Sequence, residues 1–527
     1  MSEFLNAETL VVTLVLVTTL VAIVAQRRRL PYTVSLVVIG LLIAIPTSLE
    51  LEATPDLILA IFVPPLIFEA AFHLDLGQLR ENLTPILILA VPGVLVTTLL
   101  VGGMTALGAG MAFGTAVVFG ALIAATDPVA VVSLFRALGV PRQLALTVEG
   151  ESLFNDGTAI VLFRIALAAA LTGVFDPVTG VVDFFKVALG GMGVGLVLGW
   201  ITAQLMARLE DRLIVTSLTT ILAFGSYVAA EYFHVSGVLA VVVAGLLCGN
   251  VGMAKASPSN KIMIFNLWEY LAFLANSLVF LLIGLSVDLR LMWDNLGAIG
   301  VGVVAVVGSR AIVVYGLSGL ARLWGRASHI PPSWRHVLFW GGLRGAISLA
   351  LALSLPAAMP GREGLRAMTF GVVLFTLLAQ GTTIQFLLER LGLTERSPEW
   401  VAREMRQGQL FATQAGLRRL EEMHREGLLP DEMWAGLQEG YREDQQKVME
   451  EMNRLFLEHA ELEGEMLIEA RREALKAERG ALWDAVRRNL LSDPVYEKLS
   501  TDIDYRLEAL DLIHEASHER ESVEEET

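Results

Sequence analysis

Cysteine is almost missing from this chain: Cys248 is the only one in 527 residues. A single thiol forms no intrachain disulfide and no Cys-based metal centre. Within Gly245-Leu246-Leu247-Cys248-Gly249 it reads as a small apolar packing residue. Charge is scarce too, at 18% of residues against 54% hydrophobic, with a mean hydropathy of +0.60. The 8 histidines are scattered and no pair has metal-ligand spacing, so solvated roles are expected for them. No positive residue precedes the first apolar run; Arg27-Arg28-Arg29 follow it. That order argues for a retained anchor with its N-terminus outside, rather than a cleaved signal peptide. The run Gly190-Gly191-Met192-Gly193-Val194-Gly195 lies inside an apolar span. Small residues there let helices pack closely, and no phosphate loop is expected.

What is present in quantity is apolar sequence, unevenly distributed. Residues 1–394 hold 22 acidic and 21 basic residues, a balance of −1, whereas 395–527 hold 33 and 18, a balance of −15. A transmembrane domain over 1–394 and an acidic helical soluble domain over 395–527 are therefore expected. Apolar segments of spanning length fall near 8–26, 31–48, 55–73, 84–105, 112–136, 145–172, 181–207, 212–232, 236–253, 262–288, 295–322, 334–357 and 364–390. With about 13 spans, Arg27, Arg28, Arg29, Arg80, Arg136, Arg142, Arg208, Arg212, Lys255, Lys261, Arg322, Arg326 and Arg335 share one side. Only Lys186, Arg290, Arg362 and Arg366 lie opposite. The bias predicts a plasma-membrane protein, N-terminus outside and C-terminus cytoplasmic.

An odd count permits two inverted six-helix repeats joined by a linker span, an arrangement that often crosses discontinuous helices at the midplane. Spans 5 and 12 are then counterparts, and both carry helix breakers. Ala125-Thr126-Asp127-Pro128 places a proline and a charge in one; Gly341-Gly342-Leu343-Arg344-Gly345-Ala346 surrounds an arginine with glycines in the other. Span 6 contains Gly150-Glu151-Ser152-Leu153-Phe154-Asn155-Asp156-Gly157, read as one polar stripe, and span 3 contains Glu69 after Pro64-Pro65-Leu66-Ile67-Phe68. A charge at the bilayer centre costs at least ~2.5 kcal/mol, so such residues usually line an ion or proton path. Four acids, Glu69, Asp127, Glu151 and Asp156, stand against one base, Arg344, in these motifs, and one of them is expected to pair with it. The remaining hard oxygens suit a small desolvated cation or a proton.

These four motifs, in this order over about residues 8–392, resemble the monovalent cation/proton antiporters of the electroneutral sodium/proton exchanger type. The resemblance implies a secondary transporter rather than an enzyme, with no cofactor, moving Na+ (or Li+ or K+) against H+ by alternating access. It implies that Asp156 takes either the cation or a proton. Asp127, Ser152 and the Thr126 carbonyl would complete the Na+ site, with Glu69 adding a ligand or lining the approach. Asn155 matches the neutral asparagine of the electroneutral group, Glu151 and Arg344 match a structural ion pair, and Arg310 is a second mid-span arginine with a neutralising role. A homodimer in lipid is also implied.

In the acidic part, Ser397-Pro398 and Pro430-Asp431 mark helix starts, with Gly427 between them. Asp493-Pro494 marks a third, leading into Tyr496–Ala516. Val448, Met452, Leu455, Leu462 and Met466 could form a short coiled-coil seam or a local bundle. Residues 519–527 are expected to fray. The tail is expected to bind a regulatory ligand or its own transport domain, not nucleic acid. A potassium/proton antiporter and a non-transporting sensor remain the alternative readings.

Overall fold

The computed structural model describes residues 2–28, 32–44, 60–209, 211–255, 258–286, 289–321, 330–394, 398–458, 460–488 and 490–524. The Ser397 start, the loop arginines 29, 322 and 326, and the beginning of the expected third span lie outside them. Two compact units divide the chain, Met1–Glu395 and Arg396–Thr527. Among the described residues both are helical, without a strand.

The first unit begins with α1 (Ser2–Arg28), α2 (Tyr32–Ala44), α3 (Val63–His73), α4 (Leu76–Glu81), α5 (Leu83–Ala90) and α6 (Pro92–Gly108). A broken pair follows, α7 (Phe113–Leu122) and α8 (Val129–Leu138), then α9 (Arg142–Thr172), α10 (Pro177–Met206), α11 (Arg212–Tyr232) and α12 (Gly237–Leu247). Next come α13 (Pro258–Leu285), α14 (Leu289–Asp294) and α15 (Leu296–Ala321). A second broken pair, α16 (Pro332–Trp340) and α17 (Ala346–Leu353), precedes α18 (Arg362–Phe375) and α19 (Gly381–Arg390). Seven helical stretches among the described residues are long and apolar enough to cross a membrane, and four shorter apolar helices accompany them. The chain is a multi-pass membrane protein.

Local chemistry sets the helix ends. Asp176 precedes Pro177 and accepts from the Val178 and Thr179 amides at 3.2 and 3.3 Å, so α10 starts there. Its bond from the Thr179 hydroxyl, together with these amides, holds its carboxyl below the usual range. Asp211 caps α11 and Ser236 caps α12 in the same way. Gly139 and Gly173 end α8 and α9 with left-handed φ of 69° and 71°.

The surface is inverted relative to a water-soluble bundle. Helix α10 turns Val178, Val181, Val182, Leu189 and Trp200 outward, each more than half exposed. Burying such a row would be worth several kcal/mol in water; in hydrocarbon its exposure costs little. The glycine face of α10 packs on α12: a Cβ on Gly191 or Gly195 would strike the carbonyls of Ser236 and Ala240, while Gly193 faces open space. The glycine run is therefore a packing seam.

The second unit contains α20 (Pro398–Arg425), α21 (Asp431–Glu458), α22 (Ala460–Arg487) and α23 (Asp493–Glu524). Helices α20 and α21 pair through Arg406 and Glu451 at 2.8 Å, with Tyr441 over Gly416. His424 stacks on Trp434 across the intervening turn, where Gly427 takes φ 74°. Leu475, Ile503 and Leu510 form the core between α22 and α23. The expected seam across 448–466 is divided between α21 and α22, and the Leu462 side chain lies outside the described residues. The end expected to fray is helical through Glu524; residues 525–527 are not described.

Replacing Gly195 by valine should lower the thermal unfolding midpoint of the detergent-solubilised protein, by an overpacking cost of about 1–3 kcal/mol. The matched Gly193→Val should change it little. Equal effects at both positions would sink this account of the seam.

Candidate ion site

Two unwound segments meet at the centre of the first unit. Between α7 and α8 the chain leaves the helix over residues 123–128, because Pro128 supplies no amide and restricts the residue before it. Between α16 and α17 it leaves over 341–345. Backbone groups freed from a helix inside a membrane must find partners within the protein. Here each segment serves the other. The Asp127 amide donates to the Leu343 carbonyl at 2.8 Å, and Arg344 Nη1 donates to the carbonyls of Ala124 and Ala125 at 2.8 and 3.1 Å. The Thr126 carbonyl accepts a short bond from Ser152 Oγ on α9. The Arg344 amide donates to Thr376 Oγ1 at 3.2 Å.

The Asp127 carboxylate lies at the N-termini of both following half-helices. It accepts from the Val129 amide at 3.0 Å and faces the Ala346 amide. Helix N-termini favour negative charge there. A Cβ on Gly345 would overlap this carboxylate, so the second break can approach only without a side chain.

Helix α9 carries two polar faces rather than one. Glu149, Ser152 and Asp156 stand at i, i+3 and i+7 and line a cavity of about 80 Å³. Glu151 and Asn155, at i and i+4, are turned about 100° away. Arg310 grips Glu151 with Nη1–Oε1 at 2.7 Å and Nη2–Oε2 at 2.8 Å, and also donates to the Leu338 carbonyl at 2.9 Å. Asn155 Nδ2 donates to Thr126 Oγ1 at 3.1 Å. Asp156 Oδ1, by contrast, is buried and has no hydrogen-bond partner among the described residues.

The expected pairing of Glu151 with Arg344 is corrected: Arg310 is the partner. Both arginines are buried, but Arg344 donates through Nη1 to two carbonyls of the first break, leaves Nε without a partner among the described residues, and feels Asp156 and Glu151 through their charge. Thr126, Asp127, Ser152 and Asp156 line one cavity. Glu69 does not line it; its carboxylate stands 3.2 Å from His73 Nδ1, one turn along α3. Three polar lining residues escaped the sequence reading: Glu149, Asn276 and Ser348. Heptad spacing from Asp156 would have found Glu149, while the other two needed the fold. Arg164 Nη2 donates to both carboxylate oxygens of Glu231 at 2.8 and 3.0 Å.

A family model described as the transmembrane sodium/hydrogen exchanger matches residues 12–390. The chain belongs to this family. It is 41% identical to the Na(+)/H(+) antiporter ApNhaP of Aphanothece halophytica, over 72% of this chain and 73% of that one. It is 34% identical to the Na(+)/H(+) antiporter NhaS2 of Synechocystis, over 94% and 92%. The solved structure of the sodium proton antiporter MjNhaP1 from Methanocaldococcus jannaschii superposes with a TM-score of 0.62 at 21% identity, covering 75% of this chain and all of that one. The shared architecture is the two-repeat fold with crossed broken helices.

Removing one partner of the Glu151–Arg310 pair strands a buried charge, at a cost of about 3–5 kcal/mol. Arg310→Met should therefore lower the unfolding midpoint steeply, and Glu151→Leu added to it should restore part of the loss. A double variant as unstable as the sum of the two singles would sink the pairing.

Proposed function

We propose that this protein is a sodium/proton antiporter working by alternating access, with Asp156 as the group that exchanges Na+ for H+. The observation that carries the reading is the state of that side chain. Arg310 neutralises Glu151, two helix N-termini face Asp127, and of these three carboxylates Asp156 alone is left with a buried, unpartnered oxygen. A carboxylate taken out of water keeps a negative charge only with a counter-ion, and a cation or a proton can supply it. One group that accepts either, but not both, exchanges them one for one when access alternates.

In this reading Ser152 Oγ and the Thr126 carbonyl are cation ligands, and Asp127 holds the two half-helices around the ion. Glu69 guards the approach instead of coordinating. Asn155 cannot titrate and Glu151 is committed to Arg310, so one Na+ moves against one H+ and the cycle carries no net charge. Residues 1–394 are the transport domain, with the shorter and broken helices counted among thirteen spans, and 395–527 form a cytoplasmic regulatory domain. The basic bias of the loops supports a plasma-membrane protein with its N-terminus outside. A homodimer is the expected assembly.

Reconstituted into liposomes bearing a proton gradient, the protein should release protons when Na+ is added, and Asp156→Asn should abolish this. Clamping the membrane potential at different values should leave the rate unchanged, since ~2.3 kcal/mol per 100 mV acts only on net charge. Raising the proton concentration should raise the apparent KM for Na+, because both compete for one carboxylate. Exchange retained in Asp156→Asn would overturn the assignment, and a voltage-dependent rate would overturn the stoichiometry.

A further inference from the structure

We infer that Asn276 and Ser348 form the far wall of the ion cage and tune which monovalent cation it accepts, an inference that rests on the antiporter reading above. Both line the same cavity as Asp156, from elements that carry none of the charged groups: Asn276 comes from α13 and Ser348 from α17. Both are buried, at 8% and 1% exposure. Ser348 Oγ has no hydrogen-bond partner, and the Asn276 amide makes no hydrogen bond among the described residues. A hydroxyl withdrawn from water without a partner is costly, and an alanine would fill the place of Ser348 better, while the Asn276 carboxamide lines the cavity without being spent on another side chain. Their polarity is explained if the missing partner is mobile and belongs to the cavity.

The orientation of Asn276 is fixed by its neighbour. Ser277 Oγ donates to the Phe273 carbonyl and accepts from Tyr32 Oη of α2 at 2.7 Å. Two turns earlier, Trp268 Nε1 donates to Thr219 Oγ1 of α11 at 3.1 Å. These bonds set the rotation of α13, and one residue back from Ser277 is about 100° around the helix, which turns Asn276 to the cavity. Ser348 is fixed by its half-helix, whose N-terminus closes on Asp127 through Gly345.

The other wall leaves oxygen sites short. Asp127 is occupied by backbone amides, and Ser152 spends its hydrogen on the Thr126 carbonyl. A cavity of about 80 Å³ exceeds a bare cation, and water takes about 30 Å³ in the liquid. The cation therefore enters with part of its hydration, and Asn276 and Ser348 hold the retained water or bind the ion directly. Cations of different size give up that water at different cost, so these two side chains act on selectivity. They carry no charge and leave the exchange stoichiometry alone.

The test is cation-driven proton release from proteoliposomes, with Na+, Li+ and K+ each titrated at fixed pH. Asn276→Leu, Asn276→Ser and Ser348→Ala are compared with wild type and Asp156→Asn. Asn276→Leu and Ser348→Ala should raise the apparent KM for Na+ roughly fivefold or more, exceeding any fall in maximal rate. The Na+/Li+ ratio of KM values should shift in both variants, a readout that a packing defect would not move. Asn276→Ser, which keeps a small oxygen, should recover part of the change. Should Asn276→Leu fail to fold, as judged by size exclusion and thermal unfolding, Asn276→Ser and Ser348→Ala decide the matter. Unchanged KM values and cation ratios in the folded variants, with Asp156→Asn inactive, would overturn this inference and leave the antiporter reading standing. No cation-dependent proton release from wild type would remove both.

Discussion

The structure depends on two helices being interrupted in a medium that tolerates no unpaired backbone. Each interruption frees amides and carbonyls that water cannot reach, and the two are stable only because each supplies what the other lacks. The Asp127 amide meets the Leu343 carbonyl, and the Arg344 side chain covers the carbonyls of Ala124 and Ala125. Around this mutual repair the remaining polarity falls into place. Helix N-termini become fixed positive ends beside Asp127, and Asp156 on α9 is left on the cavity with an unpartnered oxygen.

Charge is apportioned by geometry more than by count. Glu151 and Asp156 stand five residues apart on α9, yet one faces Arg310 and the other the cavity. The first is neutralised permanently and acts as a strut between α9, α15 and the end of α16. The second has one buried oxygen with no hydrogen-bond partner among the described residues. A helix turns about 100° per residue, so five residues leave these two carboxylates about 140° apart and on different faces.

Much of this was legible in the sequence. Apolar length and breakers foretold a helical membrane domain and its two breaks, and the family resemblance implied that Thr126, Asp127, Ser152 and Asp156 stand together, as they do around one cavity. Proline and glycine act locally, so their effects can be read without a fold. What could not be read was which of two distant arginines meets Glu151. That choice depends on where α15 and the second break lie relative to α9, and nothing local to Arg310 or Arg344 encodes it. Asn276 escaped for a related reason. A lone asparagine in an apolar helix carries no pattern, and only the rotation of α13, fixed by Tyr32 and Ser277, gives it a direction.

The one cysteine has a practical meaning. Cys248 is wholly buried, with its sulfur 3.6 Å from that of Met206, in the seam where α12 ends. Thiol reagents arriving from water or lipid do not meet it. Burial of the one thiol predicts that the native chain takes up little maleimide or spin label. Any cysteine introduced at a chosen surface position becomes a unique reporter, without first stripping the protein of its own.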